Sequence, residues 1–490
     1  MMEGAFLLLS VIVSLHYKFT AGENDWLPLA CTAMLCFCIG SVTRFTVKKS
    51  KKVNPHLTRA DSFMVVTLSW VVMALLGTIP FCWQLGIDFA SALFETMSGL
   101  TTTGATVLSG LDNMPHGLLF WRSLTHWMGG LGIVVFSFAL LPTYDMKNSN
   151  VFSAEVTGIS LDKLRPKIGS TARRLLTIYF FLTLVCMCFY WVGPMNLFDA
   201  ACHAMSTIAT GGFSTHDRSM AYFESSYLEY ISIVFMLAAS INFSLYYYAS
   251  IRRPQVLWRN EEMRTFLGIW IVSVAAFMAL FMWAPVPQEA LATLPPEGEA
   301  QLRTALFHTT SVMTSTGFQG EYFDYVAWGD SFWMPTVVIM GIGGCAGSTA
   351  GGIKVIRIII CAKSVLKEFV LQLHPRAIRS IRVSGLVIPD DKVRRTLAFI
   401  FVYLLMVIAG MVVFSILGLD VDTSIGSCVS MLSNVGPGTG LVGPANNFSH
   451  VHWFSKLLMS FYMLVGRLEI YTVLFLFMPT FWRERSKNRG

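Results

Sequence analysis

Long apolar runs, almost free of charge, alternate with short polar connectors along the whole of this 490-residue chain. Runs of about 18 residues or more are long enough to cross a bilayer as helices. They fall at about 26–46, 63–86, 117–141, 175–193, 228–250, 265–284, 332–362 with an interruption, 396–418 and 453–480, with a shorter run at 4–19. The short run has Glu3 where a secretion signal would carry a basic residue, and no clean small-residue cleavage site follows it. It reads as a further helix.

Between pairs of these runs lie four weakly apolar stretches, at about 90–100, 197–208, 303–313 and 424–432, each too short to span. Each leads into a segment built around a glycine. The segments are Thr101-Thr102-Thr103-Gly104-Ala105, Ala209-Thr210-Gly211-Gly212-Phe213, Thr314-Ser315-Thr316-Gly317-Phe318 and Ser433-Asn434-Val435-Gly436-Pro437-Gly438. Taking Gly104, Gly211, Gly317 and Gly436 as the centres, the spacings are 107, 106 and 119 residues. The pattern is a helix, a half-length helix with a loop, and a second helix, written four times. The predicted fold is an all-α integral membrane protein: four tandem helix–pore loop–helix repeats around a central pore, preceded by two extra N-terminal helices. Expected boundaries are 1–60 for the helix pair and its basic loop, then 61–145, 146–262, 263–385 and 386–490 for the repeats.

Four such loops on one axis form a ring of backbone carbonyls, which can replace the water shell of a monovalent cation. Glycine reaches the backbone angles this needs at little steric cost. Irregular backbone at membrane depth is tolerated only where it is buried in protein or lines water. The candidate filter residues are Thr102, Thr103 and Gly104; Ala209, Thr210 and Gly211; Ser315, Thr316 and Gly317; and Asn434, Val435 and Gly436. A single Thr-Gly pair would be an ordinary helix break; four in register favour a pore.

Residues 341–352 hold six glycines in twelve positions inside an apolar span. Glycine costs a helix about 1 kcal/mol relative to alanine, so the span should be interrupted here. Gly343, Gly344, Gly347, Gly351 and Gly352 are candidate gating residues, with close helix packing of the GxxxG type as the alternative. A phosphate loop is excluded because no glycine precedes Lys354, and Ser348 lacks a nucleophile frame. Arg467, about midway along the last apolar run, is a candidate pore-lining gate charge, since an arginine at that depth must face the interior or water. The alternative is a structural ion pair. Glu469 is a poor partner within the helix, being two positions away. Arg122 is expected to reach the outer interface, His203 and His308 to pack or hydrogen-bond, Asn242 to join helices, and Lys456 to lie at the outer end of its helix. Most tryptophans, among them Trp83, Trp121, Trp191, Trp283 and Trp453, are expected at the interfaces.

Composition agrees with a membrane protein: 54% hydrophobic, 13% charged, mean hydropathy +0.58. Thirty of 36 basic residues fall in five clusters, at 44–59, 147–174, 252–264, 354–395 and 483–489, whereas the intervening connectors carry acids. Positive charge gathers on the cytoplasmic side, which predicts cytoplasmic termini and outward-facing filter loops. The net charge of +7 is thereby a topology signal, and no nucleic-acid partner is expected. The ten cysteines show no CxxC pair and no zinc spacing.

The motifs TTTGAT, ATGGFSTH, TSTGF and NVGPG, with GGCAGSTAGGIKVIRI and LVGRLEIYTVLFL, resemble the TrkH/KtrB superfamily of potassium-translocating membrane subunits from about residue 26 onward. The two extra N-terminal helices are similar to the TrkH branch. The resemblance implies K+ as the ion carried and glycine at each filter loop of potassium-permeable members. It also implies an intramembrane gating loop at 341–352, an arginine beneath the filter at Arg467, a homodimer in membrane lipid, and a separate cytoplasmic nucleotide-binding regulatory subunit. The expected function is potassium uptake through a gated, channel-like pore in a bacterial inner membrane, with no enzyme activity. The alternatives are potassium symport with H+ or Na+ and, from another class, an intramembrane enzyme or a receptor.

Overall fold

The computed structural model describes residues 1–49, 59–145, 168–250, 255–479 and 481–483. Lys51 and Lys52 of the first basic cluster, Lys147, Lys163, Arg165 and Lys167 of the second, Arg252, Arg253 and the tail after 483 lie outside the described residues.

Apolar periodicity produces helices throughout. α1 (Met2–Ala21) and α2 (Trp26–Lys49) form an N-terminal hairpin. Its turn is fixed by acids placed at the start of α6 (His116–Asp145), where free amide hydrogens favour negative charge. Glu23 accepts from the His116 amide at 2.8 Å and Asp25 from the Leu118 amide at 2.8 Å. The first repeat runs through α3 (Arg59–Gly77), its short continuation α4 (Ile79–Leu85), the half-length α5 (Phe89–Leu100) and α6. The second comprises α7 (Ile168–Val192), α8 (Leu197–Ala209), α9 (Ser226–Ala239) and α10 (Phe243–Ser250), followed by the short α11 (Gln255–Arg259). The third comprises α12 (Glu261–Trp283), α13 (Glu299–Met313), α14 (Asp330–Ile342) and α15 (Val355–Leu373). A three-residue antiparallel hairpin, β1 (Ile381–Val383) with β2 (Leu386–Ile388), leads to the fourth repeat. That repeat holds α16 (Asp390–Ile416), α17 (Val421–Ser433), α18 (Trp453–Arg467) and α19 (Tyr471–Leu474).

Among the described residues six helices are long and apolar enough to cross a membrane, or eight if two bent pairs each count as one span. Their outer faces expose large apolar side chains such as Phe181, Val272 and Phe401, as lipid contact requires. The interior is polar by comparison, with buried serines and threonines on all four half-length helices. Trp83, Trp191, Trp283 and Trp453 are exposed, as interfacial residues should be, but Trp121 is fully buried in the core.

Two expected continuous helices are broken. The run at 228–250 bends by 90° between α9 and α10. Its freed backbone groups are taken up by the glycine-rich stretch, with Cys345 N donating to Ser240 O at 3.0 Å and Phe243 N to Gly347 O at 3.0 Å. Asn242 sits in that break and accepts from the Ser244 amide at 2.8 Å. The run at 453–480 bends by 114° after α18, so Arg467 is the last residue of a helix instead of its midpoint. Glu469 and Ile470 adopt positive φ at the bend, and Ile470 N returns to Val465 O at 2.9 Å.

Candidate functional site

The four half-length helices α5, α8, α13 and α17 are buried despite their modest apolarity. Three start on a side-chain cap: Asp88, Asn196 and Asp420 each accept from the amide three residues on. α13 starts from Gly298 without one. At about 1.5 Å per residue, helices of 12 to 15 residues reach only part-way across a bilayer.

Each helix ends in the same loop conformation. Thr102, Thr210, Ser315 and Asn434 turn left-handed with φ of 52°, 54°, 54° and 55°. The next amide returns to a serine carbonyl on the preceding helix. These bonds are Thr103 N to Ser98 O (2.8 Å), Gly211 N to Ser206 O (2.9 Å), Thr316 N to Ser311 O (2.9 Å) and Val435 N to Ser430 O (3.0 Å). A glycine with positive φ follows: Gly104 at 82°, Gly212 at 80°, Gly317 at 79° and Gly436 at 109°. This register corrects the sequence-based choice in the second loop. Gly212, not Gly211, is equivalent to the other three glycines, and the matching positions are Thr210, Gly211 and Gly212, with Ala209 still in the helix. The signal was present as a Ser six positions before each glycine: Ser98 and Gly104, Ser206 and Gly212, Ser311 and Gly317, Ser430 and Gly436.

The loops close into a ring. A Cβ added to Gly104 would collide with the carbonyl oxygen of Gly211, one on Gly212 with that of Thr316, and one on Gly317 with that of Val435; one on Gly436 would lie 2.6 Å from that of Thr103. Each loop therefore abuts the next, and the fourth abuts the first. Asn434 ties the last seam, donating to Thr103 Oγ1 at 3.0 Å and to Met463 O at 2.9 Å. A cavity of 60 Å³ opens on one side of the ring, lined by Gly104, Gly212, Gly317 and Gly436 among others, which is room for a few waters.

On the opposite side, towards the C-terminal ends of the half-helices, lies the glycine-rich stretch. It is irregular from 343 to 354, with Gly343, Gly347 and Gly352 at positive φ. No helix carries Gly343 and Gly347, so the GxxxG packing alternative does not hold. The stretch closes on itself through Ile353 N to Gly341 O and Lys354 N to Ile342 O, both 3.1 Å. Close backbone approach demands its glycines: a Cβ on Gly351 would strike Ser433 O, and one on Gly344 would press on Ala350 and Ser240. Thr349 Oγ1 donates to Ile208 O (3.0 Å) and Ala239 O (3.1 Å), and Gly351 N donates to Ser315 Oγ (2.6 Å). Glu262 on α12 accepts from Ala346 N at 2.6 Å and Ile356 N at 3.2 Å, tying the stretch to the first turn of α15.

Arg467 is buried, with Nη1 donating to Thr349 O at 2.7 Å and Nη2 directed at Gly129 O at 3.4 Å. Among the described residues it has no carboxylate partner. Glu469 is taken instead by Arg357 at 2.7 Å, so the ion-pair alternative fails for Arg467.

Of the remaining side chains, His203 bonds Ser214 Oγ and His308 bonds Thr336 Oγ1, both at 2.9 Å, in the packing roles expected of them. Lys456 is buried and reaches Ser91 Oγ and Ser449 O, both at 2.9 Å. Arg122 does not reach the outer interface. It is buried and paired with Glu95 at 2.6 Å beside the first two loops. In the polar connector beyond the second loop, His216 lies between Asp112 and Asp199 and stacks on Tyr222 with ring centroids 3.5 Å apart. Burial disfavours its charge, but hydrogen bonds and the negative charges of the two aspartates outweigh this and raise its pKa above the ordinary value.

Known proteins share this architecture. The chain is 36% identical over 484 residues to the Trk system potassium uptake protein TrkH of Salmonella typhimurium, covering 98% of this chain and 96% of that protein. It is 32% identical over 489 residues to the Trk system potassium uptake protein TrkG of Escherichia coli, covering 98% and 95%. The crystal structure of the potassium transporter TrkH from Vibrio parahaemolyticus superposes with a TM-score of 0.85 at 32% identity, covering 98% of each chain. The family model for TrkH, a cation transport protein, matches residues 29–484. On these grounds, and with a fold of spanning helices around four converging loops, this chain belongs to the TrkH family of cation transport proteins, a family of transporters and not of enzymes.

Proposed function

We propose that the chain is the pore-forming subunit of a bacterial inner-membrane potassium uptake system, passing K+ through a carbonyl ring formed by its four loops. The observation that carries this is the cyclic contact of Gly104, Gly212, Gly317 and Gly436 with the carbonyls of neighbouring loops. Oxygens held by four separate repeats can replace a hydration shell without the protein reorganising for each ion. The half-helices aim their carbonyl ends, which carry partial negative charge, at the same axis.

The glycine-rich stretch is the gate in this proposal, with Gly343, Gly344, Gly347, Gly351 and Gly352 giving it the backbone freedom to lie across the path. Arg467 holds it there and adds a positive charge that repels cations. The ring cavity faces outward and both termini face the cytoplasm in this proposal, a reading supported by the basic clusters. A homodimer and a cytoplasmic nucleotide-binding partner follow from the resemblance to Trk system proteins, and the exposed Arg376, Arg379 and Arg382 offer that partner a basic surface. A channel-like path is favoured over proton symport because two buried acids beside the loops, Glu95 and Glu229, are committed to Arg122 and Arg303.

The test is flux in proteoliposomes. The protein should carry K+ over Na+ along its gradient without an imposed proton or sodium gradient. Gly104→Ser should lower that preference, since its side chain would displace the Gly211 carbonyl. Uptake that requires a second ion gradient would favour symport, and an unchanged ion preference in Gly104→Ser would remove this loop from the filter.

A further inference from the structure

The seam between the first and second loops is closed by a buried charge pair. Arg122, 3% exposed on α6, donates from Nε to Glu95 Oε1 at 2.6 Å and from Nη1 to Ser214 O at 2.7 Å. Its guanidinium carbon lies 3.6 Å from the Phe213 ring centroid, and Phe213 stacks on His126 at 4.0 Å. Glu95, fully buried on α5, also accepts from Thr106 Oγ1 and Val107 N, both at 3.0 Å. One fork thus grips the limb leaving the first loop, through Glu95, and the limb leaving the second, through Ser214. These limbs begin at Gly104 and Gly212, and across this seam the Gly211 carbonyl abuts Gly104.

Among the described residues a second buried pair stands beside the third loop, though its arginine bonds only carboxylates. Glu229 accepts from the Glu321 amide just after the third loop and is itself paired with Arg303. The seam between the fourth and first loops is held without charge, by Phe448 N to Thr106 O at 2.9 Å and by Asn434. A buried pair costs desolvation and is a poor general stabiliser, whereas a planar fork with fixed donors sets distances and directions. Because Glu95 neutralises it, Arg122 can stand beside the cavity without repelling cations.

We propose that Arg122, oriented by Glu95, is a specificity-determining positioning residue. It fixes the spacing of the first and second carbonyl segments and thereby the discrimination of potassium from sodium. The proposal rests on the carbonyl-ring reading above.

The experiment measures the K+/Na+ permeability ratio of the full-length protein in proteoliposomes for Arg122→Lys, Arg122→Gln and the double variant Glu95→Gln/Arg122→Gln. The ratio should fall about tenfold in Arg122→Gln and in the double variant, the factor that accompanies loss of one charge-assisted hydrogen bond, while K+ flux persists. Arg122→Lys should fall part of the way, because an ammonium can meet Glu95 but not Glu95 and Ser214 O together. Arg122→Gln leaves Glu95 unpaired and could misfold on that account; the double variant removes both charges, and Arg122→Lys keeps the pair. A wild-type ratio in Arg122→Lys would show that charge, not the fork, matters and would overturn the proposal. So would a wild-type ratio in the folded double variant. Gly104→Ser measured alongside separates the two levels. If it alters the ratio and the Arg122 variants do not, only the positioning role falls; if none does, the ring reading falls as well.

Discussion

Arg467→Ala should raise cation flux. The substitution removes the 2.7 Å bond to Thr349 O and the longer 3.4 Å contact with Gly129 O. A hydrogen bond from a charged donor contributes about 1.5–3 kcal/mol, and a contact near 3.4 Å much less. Taking about 2 kcal/mol for the two together, the population with the glycine-rich stretch displaced rises about 30-fold. Repulsion acts in the same direction. A monovalent cation passing about 6 Å from a lone guanidinium meets about 3 kcal/mol at an effective dielectric constant of about 20. Even if the two effects overlap completely, an increase of about 30-fold is expected. The assay is K+ efflux from proteoliposomes, normalised to protein that elutes as folded. Arg467→Lys should retain much of the repulsion and lose the fork, giving an intermediate flux. Because Glu469 belongs to Arg357, the alanine variant strands no buried acid and folded yield should hold. A normalised flux that is unchanged or lower would refute the gating role.

Thr349→Val removes the bonds to Ile208 O and Ala239 O and should raise flux without changing the K+/Na+ ratio, measured in the same vesicles; a changed ratio would place Thr349 in the filter instead. The register of the second loop can be tested by relief of overcrowding. A Cβ on Gly211 meets the His126 ring and one on Gly212 meets Thr316 O, so His126→Ala should rescue K+ selectivity in Gly211→Ala but not in Gly212→Ala, where positive φ adds about 1–2 kcal/mol of strain. The clamp of His216 between Asp112 and Asp199 should make stability pH-dependent. Its raised pKa means the contribution is complete below the ordinary value of about 6.5 and is lost as pH rises through the folded-state value. Thermal midpoints from pH 6 upward should decline in the parent and flatten in His216→Gln, and parallel curves would refute the clamp.

Much was legible locally. Apolar run length located the spanning helices, and the half-length stretches fell within a few residues of α5, α8, α13 and α17. The interruption at 341–352 followed from glycine content, since helix propensity is a local property. Even the loop register was written in the chain, as the serine six residues before each glycine; adjacent Gly211 and Gly212 concealed it because either suits a turn.

What the tertiary structure alone decided concerns partners far apart in sequence. Arg122 is indistinguishable by periodicity from an interfacial arginine, and only the meeting of α5, α6 and the second loop gives it Glu95 and Ser214 O. Glu469 stands two positions from Arg467 yet pairs with Arg357, more than a hundred residues away, because the bend after α18 turns the two side chains apart. That bend, like the one between α9 and α10, has no strong local breaker comparable to the glycines at 341–352. The bend between α9 and α10 is stable because backbone groups released from the helix find partners elsewhere, Ser240 O and Phe243 N in the glycine-rich stretch, whereas after α18 Ile470 N is met locally by Val465 O. Inside a membrane such groups cannot turn to lipid, so a helix breaks where another segment stands ready to satisfy them, and that readiness is a property of the assembled fold.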